Sequence, residues 1–147
     1  MKFKVIPNEQ TPKCTELINL EEDRKMLEKF WSFARRQHNC AGLASNQCSC
    51  KGERIMKPFF AIKVDNRWDI IIEPQILNYI GKKEVMIEGC LTWLGKKIRA
   101  ERHPTVDVSY TNLKGEKIER QVKGFEAQVW QHEYNHLMGV EEEFYEQ

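Results

Sequence analysis

Residues 131–137, Gln131-His132-Glu133-Tyr134-Asn135-His136-Leu137, restrict this chain more than any other stretch. If the segment is helical, His132 and His136 lie one turn apart on one face, with Glu133 projecting beside them. Two neutral imidazoles at that spacing can hold one divalent cation, which makes hydroxide available near neutral pH while the carboxylate moves the proton. The H-E-x-x-H pattern therefore points to metal-dependent hydrolysis. Its competitor is a solvated surface helix that carries two histidines by chance, and the flanking residues weigh against that. With His132 at 0° and 100° per residue, Phe125, His136 and Val129 fall at about 20°, 40° and 60°. Trp130 and Leu137 occupy the far side, so the helix opened by Gly124 is apolar over much of its girth. Such a helix is expected to be buried, with Gly139 as its terminator and an acidic, exposed tail of Glu141, Glu142, Glu143 and Glu146 beyond it.

A buried helix needs other elements to wrap it, and residues 1–147 are expected to do so as a single catalytic domain. The 23 basic and 22 acidic side chains leave a charge of +1, so nothing draws the chain generally to nucleic acid or to an anionic membrane. A small neutral or peptide substrate fits better. No apolar run is long enough to span a bilayer, and Met1 to Val5 lack the apolar region of a secretory signal, so a cytoplasmic location is expected. Five cysteines at irregular spacing do not suggest a disulfide framework.

Residues 1–19 read as an irregular arm without chemistry, in which Cys14 is an inert thiol. Asn19 and Glu22 have capping-box character, and Leu20, Leu27, Phe30, Trp31 and Ala34 recur at helical spacing, which predicts a surface helix over 20–38 with His38 near its end. The small-residue stretch 39–48 lets a substrate or another backbone approach closely, and Gln47 could donate to an oxygen there; a tight loop into a strand explains it equally well. Cys48 and Cys50 are too close together for an ordinary zinc pair. Phe59 to Val64 and Trp68 to Ile72 predict a hairpin about Asp65-Asn66, ended by Pro74, with a further strand at 76–80. Residues 96–102 read as an exposed strand edge, and 105–110 and 117–122 as a strand pair. His103, held extended by Pro104, stays out of the histidine pair.

Two histidines leave a tetrahedral metal short of one protein ligand, with the fourth position kept for water. Two candidates stand out. Glu142 occupies the last position of an H-E-x-x-H-x-x-G-x-x-H pattern where histidine belongs, and Cys90 follows Gly89, which allows a sharp turn. Either reading leaves Cys90 open as a ligand, a nucleophile or a buried thiol.

Three segments acquire a common explanation because the sequence closely resembles the peptide deformylases. Their motifs are G-x-G-L-A-A-x-Q, E-G-C-L-S and Q-H-E-x-D-H; this chain has Cys-Ala-Gly-Leu-Ala-Ser-Asn-Gln at 40–47, Glu-Gly-Cys-Leu-Thr at 88–92 and Gln-His-Glu-Tyr-Asn-His at 131–136. The resemblance implies an α+β fold with antiparallel β-sheets packed around a buried C-terminal motif helix, plus the N-terminal surface helix. It implies Cys90, His132 and His136 as metal ligands, Glu133 as proton carrier, and the Gln47 side chain and Leu91 N–H as oxyanion donors. Gly42 would offer its backbone to substrate, with Ala41, Phe125 and Val129 lining a methionine pocket. The implied reaction removes formate from the N-formylmethionine of new polypeptides. Its implied cofactor is one divalent ion, Fe2+ by resemblance, with Zn2+, Ni2+ or Co2+ as alternatives. The partner is an N-formylmethionyl peptide or nascent chain near the ribosome, with no docking through a long C-terminal extension expected.

Departures from the motifs sharpen the expectations. Cys40 stands where the family has glycine, and Thr92 where it has serine. Asn135 replaces an aspartate, which leaves Glu88 as the expected partner of Arg102. Two other functions remain: an H-E-x-x-H metalloprotease with Glu142 as third ligand, and a deformylase-like domain that holds metal or peptide without turnover.

Overall fold

Consecutive apolar residues at 59–62 and 70–72 require a strand pair covered on both faces. The computed structural model, which describes residues 1–146, supplies a helix for each face. In chain order the elements are β1 (Phe3–Val5), α1 (Leu20–Ala34), β2 (Gly42–Ala44), a 3-10 turn at Ser45–Gln47, β3 (Cys48–Cys50), β4 (Glu53–Arg54), β5 (Phe59–Val64) and β6 (Arg67–Ile80). They continue with β7 (Glu84–Glu88), a 3-10 turn at Leu91–Trp93, β8 (Ile98–Arg102), β9 (Thr105–Thr111), β10 (Lys117–Lys123), α2 (Gly124–Met138) and β11 (Glu143–Phe144). Three antiparallel sheets form, in the orders β1-β3-β4, β10-β9-β6-β5-β2 and β11-β8-β7. None of the helices among the described residues is long and apolar enough to cross a membrane.

Strand periodicity divides the core in two. Phe59, Ala61, Ile70 and Ile72 face α1 with Leu27, Phe30 and Ala34. Phe60, Ile62 and Ile71 face α2, where Trp130 meets Phe60 edge-on with ring centroids 4.9 Å apart. The five-stranded sheet thus holds α2 from one side, and this is the architecture expected: antiparallel sheets around a buried motif helix. Asp65 and Asn66 both take positive φ, 51° and 63°, which matches the twist of the β5–β6 hairpin.

Several local expectations need correction. The arm contains β1, whose residues pair with Cys48–Cys50. Helix α1 stops at Ala34 rather than 38, because Ala34 is the last residue of its buried stripe and Arg35, Arg36 and His38 beyond it are exposed. Pro74 does not end β6. The register against β9 shifts between Ile72 and Gln75, and at such a bulge the missing N–H costs no ladder bond. Residues 98–102 are not an edge: β8 is the middle strand of its sheet, with Ile98 and Arg102 buried. Beyond Gly139 the chain is not a free tail either, since Glu143 and Phe144 pair with Arg99 and Ile98 and return Glu142 to the interior.

Candidate metal centre

Helix α2 presents its two histidines to one point. His132 Nε2 and His136 Nε2 are 3.1 Å apart, and the Sγ of Cys90 lies 3.4 Å from His136 Nε2. Cys90 reaches them from extended backbone, φ -152° and ψ 137°, between the end of β7 and the turn at Leu91–Trp93. Glu142 Oε1 completes a cluster of four donors within 4.8 Å of one another. Both rival third ligands are therefore at the site, where the sequence offered them as alternatives.

The far ring nitrogens are engaged. His132 Nδ1 is 2.7 Å from Glu88 Oε1, and Glu88 also accepts from Arg102 Nε at 3.1 Å, Arg102 Nη2 at 2.7 Å and Gln128 Nε2 at 2.9 Å. Glu88 is thus the partner of Arg102, as Asn135 requires. The hydroxyl of Thr11 lies 3.4 Å from His136 Nδ1 and donates to the His136 carbonyl at 2.9 Å, while the Asn46 amide donates to the same carbonyl at 2.6 Å. With each Nδ1 turned outward, both Nε2 atoms face the thiol. Fixing the outer nitrogen of a ligating histidine in this way sets its tautomer and ring orientation.

Charge follows from burial and neighbours. Burial alone would raise the Glu88 carboxyl, but hydrogen bonds from His132 and Arg102 outweigh it and hold Glu88 at about 2. Burial opposes charge on His132, yet its contacts with Cys90 and Glu88 and the field of Glu133 keep it well above an ordinary histidine. His136 is driven well below, by burial and then by the positive charge of His132. A thiol, two convergent imidazoles and a carboxylate match the donor chemistry of a divalent transition metal. Burial pushes Glu133 up to about 7, opposed by His132 and reinforced by Glu142 and Glu88. Its Oε1 is buried without a hydrogen-bond partner, which suits a group that exchanges a proton with something that enters.

A cavity of about 600 Å³ opens beside this cluster. It is bordered by Ala41, Gly42, Gln47, Cys90, Leu91, Phe125, Val129, His132 and Glu133, so it unites the sequence-predicted site residues apart from His136, which lies behind His132. Phe125 stands exposed at the mouth despite sharing the histidines' stripe, because it occupies the first turn of α2, beyond the sheet. Gly42 lies so close to Glu133 that a Cβ there would come within 2.7 Å of Oε2. Gln47 donates to Thr92 Oγ1 at 3.0 Å and to Cys90 Sγ at 3.3 Å, its own Oε1 being held by the Ala44 N–H at 2.8 Å. Cys40 lines the cavity, donates to the Gly42 carbonyl at 2.8 Å and is pushed up to about 12, chiefly by burial. Cys14 is similarly raised to about 11 and Cys48 is fully buried, and neither borders this cavity. His103 bonds Gly81 and lies outside the site. Thr11, Asn46 and Gln128 were not foreseen as supports of the histidines and Glu88, for their contacts span many residues and leave no pattern in the sequence.

The Polypeptide deformylase family profile matches residues 6–141. The chain belongs to this family. The peptide deformylase of Thermotoga petrophila is 35% identical over 123 residues, which cover 83% of this chain and 69% of that protein. Three other Thermotoga deformylases are matched over 65% of their own length, just under two thirds. Among solved structures, that of the Thermotoga maritima peptide deformylase gives a TM-score of 0.75 at 28% identity, covering 95% of this chain and 94% of the other. PDF from the Vibrio parahaemolyticus bacteriophage VP16T, in complex with actinonin, gives 0.79 at 26% identity, covering 93% and 98%. Family and fold together support deformylase chemistry over the metalloprotease, even with Glu142 at the site, and over a domain without turnover.

Proposed function

We propose that this chain hydrolyses the formyl group from N-formylmethionyl peptides or nascent chains, releasing formate. The observation that carries the reading is the convergence of Cys90 Sγ with two Nε2 atoms, next to a cavity bordered by Cys90, His132, Glu133 and Gln47. Cys90, His132 and His136 would hold the cation. When bound, it supplies Lewis acidity and lowers the pKa of water. Iron in its ferrous form is the favoured ion over zinc, nickel or cobalt, because the family resemblance points to it, and its thiolate ligation predicts loss of activity in air.

Glu133 accepts the proton of the attacking water and returns it to the departing amine nitrogen, a task that a carboxyl held near neutrality performs well. The Gln47 amide and the Leu91 N–H stabilise the charge that develops on the formyl oxygen. Gly42 leaves its backbone bare for the substrate chain, with Ala41, Val129 and, at the rim, Phe125 around the methionine side chain. Acting on new polypeptides, the enzyme would work in the cytoplasm, close to the ribosome.

The test is anaerobic purification with metal analysis, followed by formate release from formyl-Met-Ala-Ser. Cys90→Ala should lose stoichiometric metal. Glu133→Gln should keep the metal and lose turnover. No formate at any metal loading of the wild-type chain would refute the reading.

A further inference from the structure

Glu142 has no place in the mechanism above, yet it is built into the centre. Its Oε1 lies 3.2 Å from His136 Nε2 and 3.8 Å from His132 Nε2. The side chain is only 10% exposed, and Oε2 is buried with no hydrogen-bond partner. A carboxyl withdrawn from water either keeps a proton or meets positive charge. Burial raises Glu142, while His132 and the Trp93 indole favour its charged form, and a cation between the imidazoles would supply the missing charge.

The backbone delivers this residue from both sides. Gly139 ends α2 at φ 70°, with its N–H on the His136 carbonyl, and a Cβ there would come within 2.6 Å of the Lys13 nitrogen. On the other side β11 pairs with β8, Tyr145 N–H donates to the Lys97 carbonyl at 2.9 Å, and the Phe144 ring meets Trp93 edge-on at 4.9 Å. Alternation along the strand turns Glu143 outward to Arg99 and Glu142 inward. The approach comes from behind. Glu142 borders a second cavity of about 250 Å³ with His132, His136 and Arg102, whereas Cys90, Gln47 and Glu133 border the large one.

We propose that Glu142 is a fourth protein ligand of the cation, joining Cys90, His132 and His136 from the face opposite the substrate cavity. The proposal rests on the metal-centre reading above. It gives the centre one sulfur, two nitrogen and one oxygen donor, with two anionic ligands to hold a divalent ion, and it leaves the cavity side for water and substrate. The rival role for Glu142 is a hydrogen bond to an imidazole, which involves no coordination.

Anaerobic titration of the metal-free chain with Co2+ separates the two, using wild type, Glu142→Gln and Cys90→Ser. Glutamine keeps the shape and an acceptor oxygen but loses the charge that makes a carboxylate a good ligand. The expected result is that Glu142→Gln binds one Co2+ more than about 100-fold more weakly, beyond the roughly 10–100-fold that follows loss of a group merely hydrogen-bonded to a ligand. Its visible d–d bands should shift while the thiolate-to-cobalt charge-transfer band remains. Unchanged affinity and unchanged d–d bands overturn the proposal; if Cys90→Ser then loses Co2+, the three-ligand centre still stands. Full Co2+ binding by Cys90→Ser, with no charge-transfer band in wild type, overturns both. A Co2+-soaked crystal of the wild-type chain answers without a variant: Oε1 within about 2.2 Å of the ion supports ligation, and beyond about 3 Å refutes it.

Discussion

Replacing Glu88 with Gln removes one negative charge from a point where Arg102, His132 and Gln128 all converge. Holding this carboxyl at about 2 in place of the usual 4.5 corresponds to about 3 kcal/mol of folding stability at neutral pH, taking 1.36 kcal/mol per tenfold in proton affinity. A second route gives a similar size: breaking a buried ion pair by removing one partner typically costs about 3–5 kcal/mol, because the other charge is left uncompensated, and both side chains here are less than a tenth exposed. For a chain of this length the loss lowers the melting temperature by about 6–12 °C. The folded carboxyl titrates below its unfolded counterpart, so the stabilisation is complete above about pH 4.5 and fades as the pH falls toward 2. Urea unfolding of the metal-free wild type and Glu88→Gln, followed by circular dichroism at pH 7 and about pH 3, measures both features. The gap should be about 3 kcal/mol at pH 7 and less than half of that at the lower pH. A gap below about 1 kcal/mol at pH 7, or one that does not shrink in acid, would refute the account of this network.

Gln47→Ala should lower kcat by about 10²–10³ with metal content unchanged, as for loss of one oxyanion donor; a change confined to KM would assign Gln47 to ground-state binding instead. Gly42→Ala forces a Cβ to within 2.7 Å of Glu133 Oε2, so turnover should fall by up to about 100-fold through displacement of that carboxylate. Wild-type rates in this variant would show that Glu133 can move without cost. Trp130→Ala empties the fully buried contact with Phe60 and should cost about 3–5 kcal/mol in urea unfolding. A loss under about 1 kcal/mol would mean that the α2 face of the sheet collapses onto the gap.

Much of this arrangement is legible without coordinates because the relevant information is local. The spacing of His132 and His136, the apolar girth of their helix, the left-handed stop at Gly139 and the Asp65-Asn66 hairpin each depend on residues within a turn or two of one another. Solvation and backbone sterics act over that range, so periodicity reports them directly. The resemblance of the segments around Gln47, Cys90 and His132 added their common purpose. The errors are of the opposite kind: Pro74 inside β6, Arg102 on an interior strand and Glu142 folded inward each depend on a partner strand that is distant in sequence.

By itself, then, the order of residues determined that a buried helix would carry two imidazoles and a carboxylate and that hairpin strands would accompany it, while the resemblance implied that antiparallel sheets wrap that helix. The resemblance implied the thiol of Cys90 and the Glu88–Arg102 pair; only the tertiary structure decided that Thr11 meets His136, that Gln128 joins Glu88, and that Glu142 comes in from the returning chain. Helical and strand periodicity are properties of a few neighbouring residues. The approach of β7 and β11 to α2 depends instead on how three sheets close around one core, and no short stretch of sequence encodes that closure.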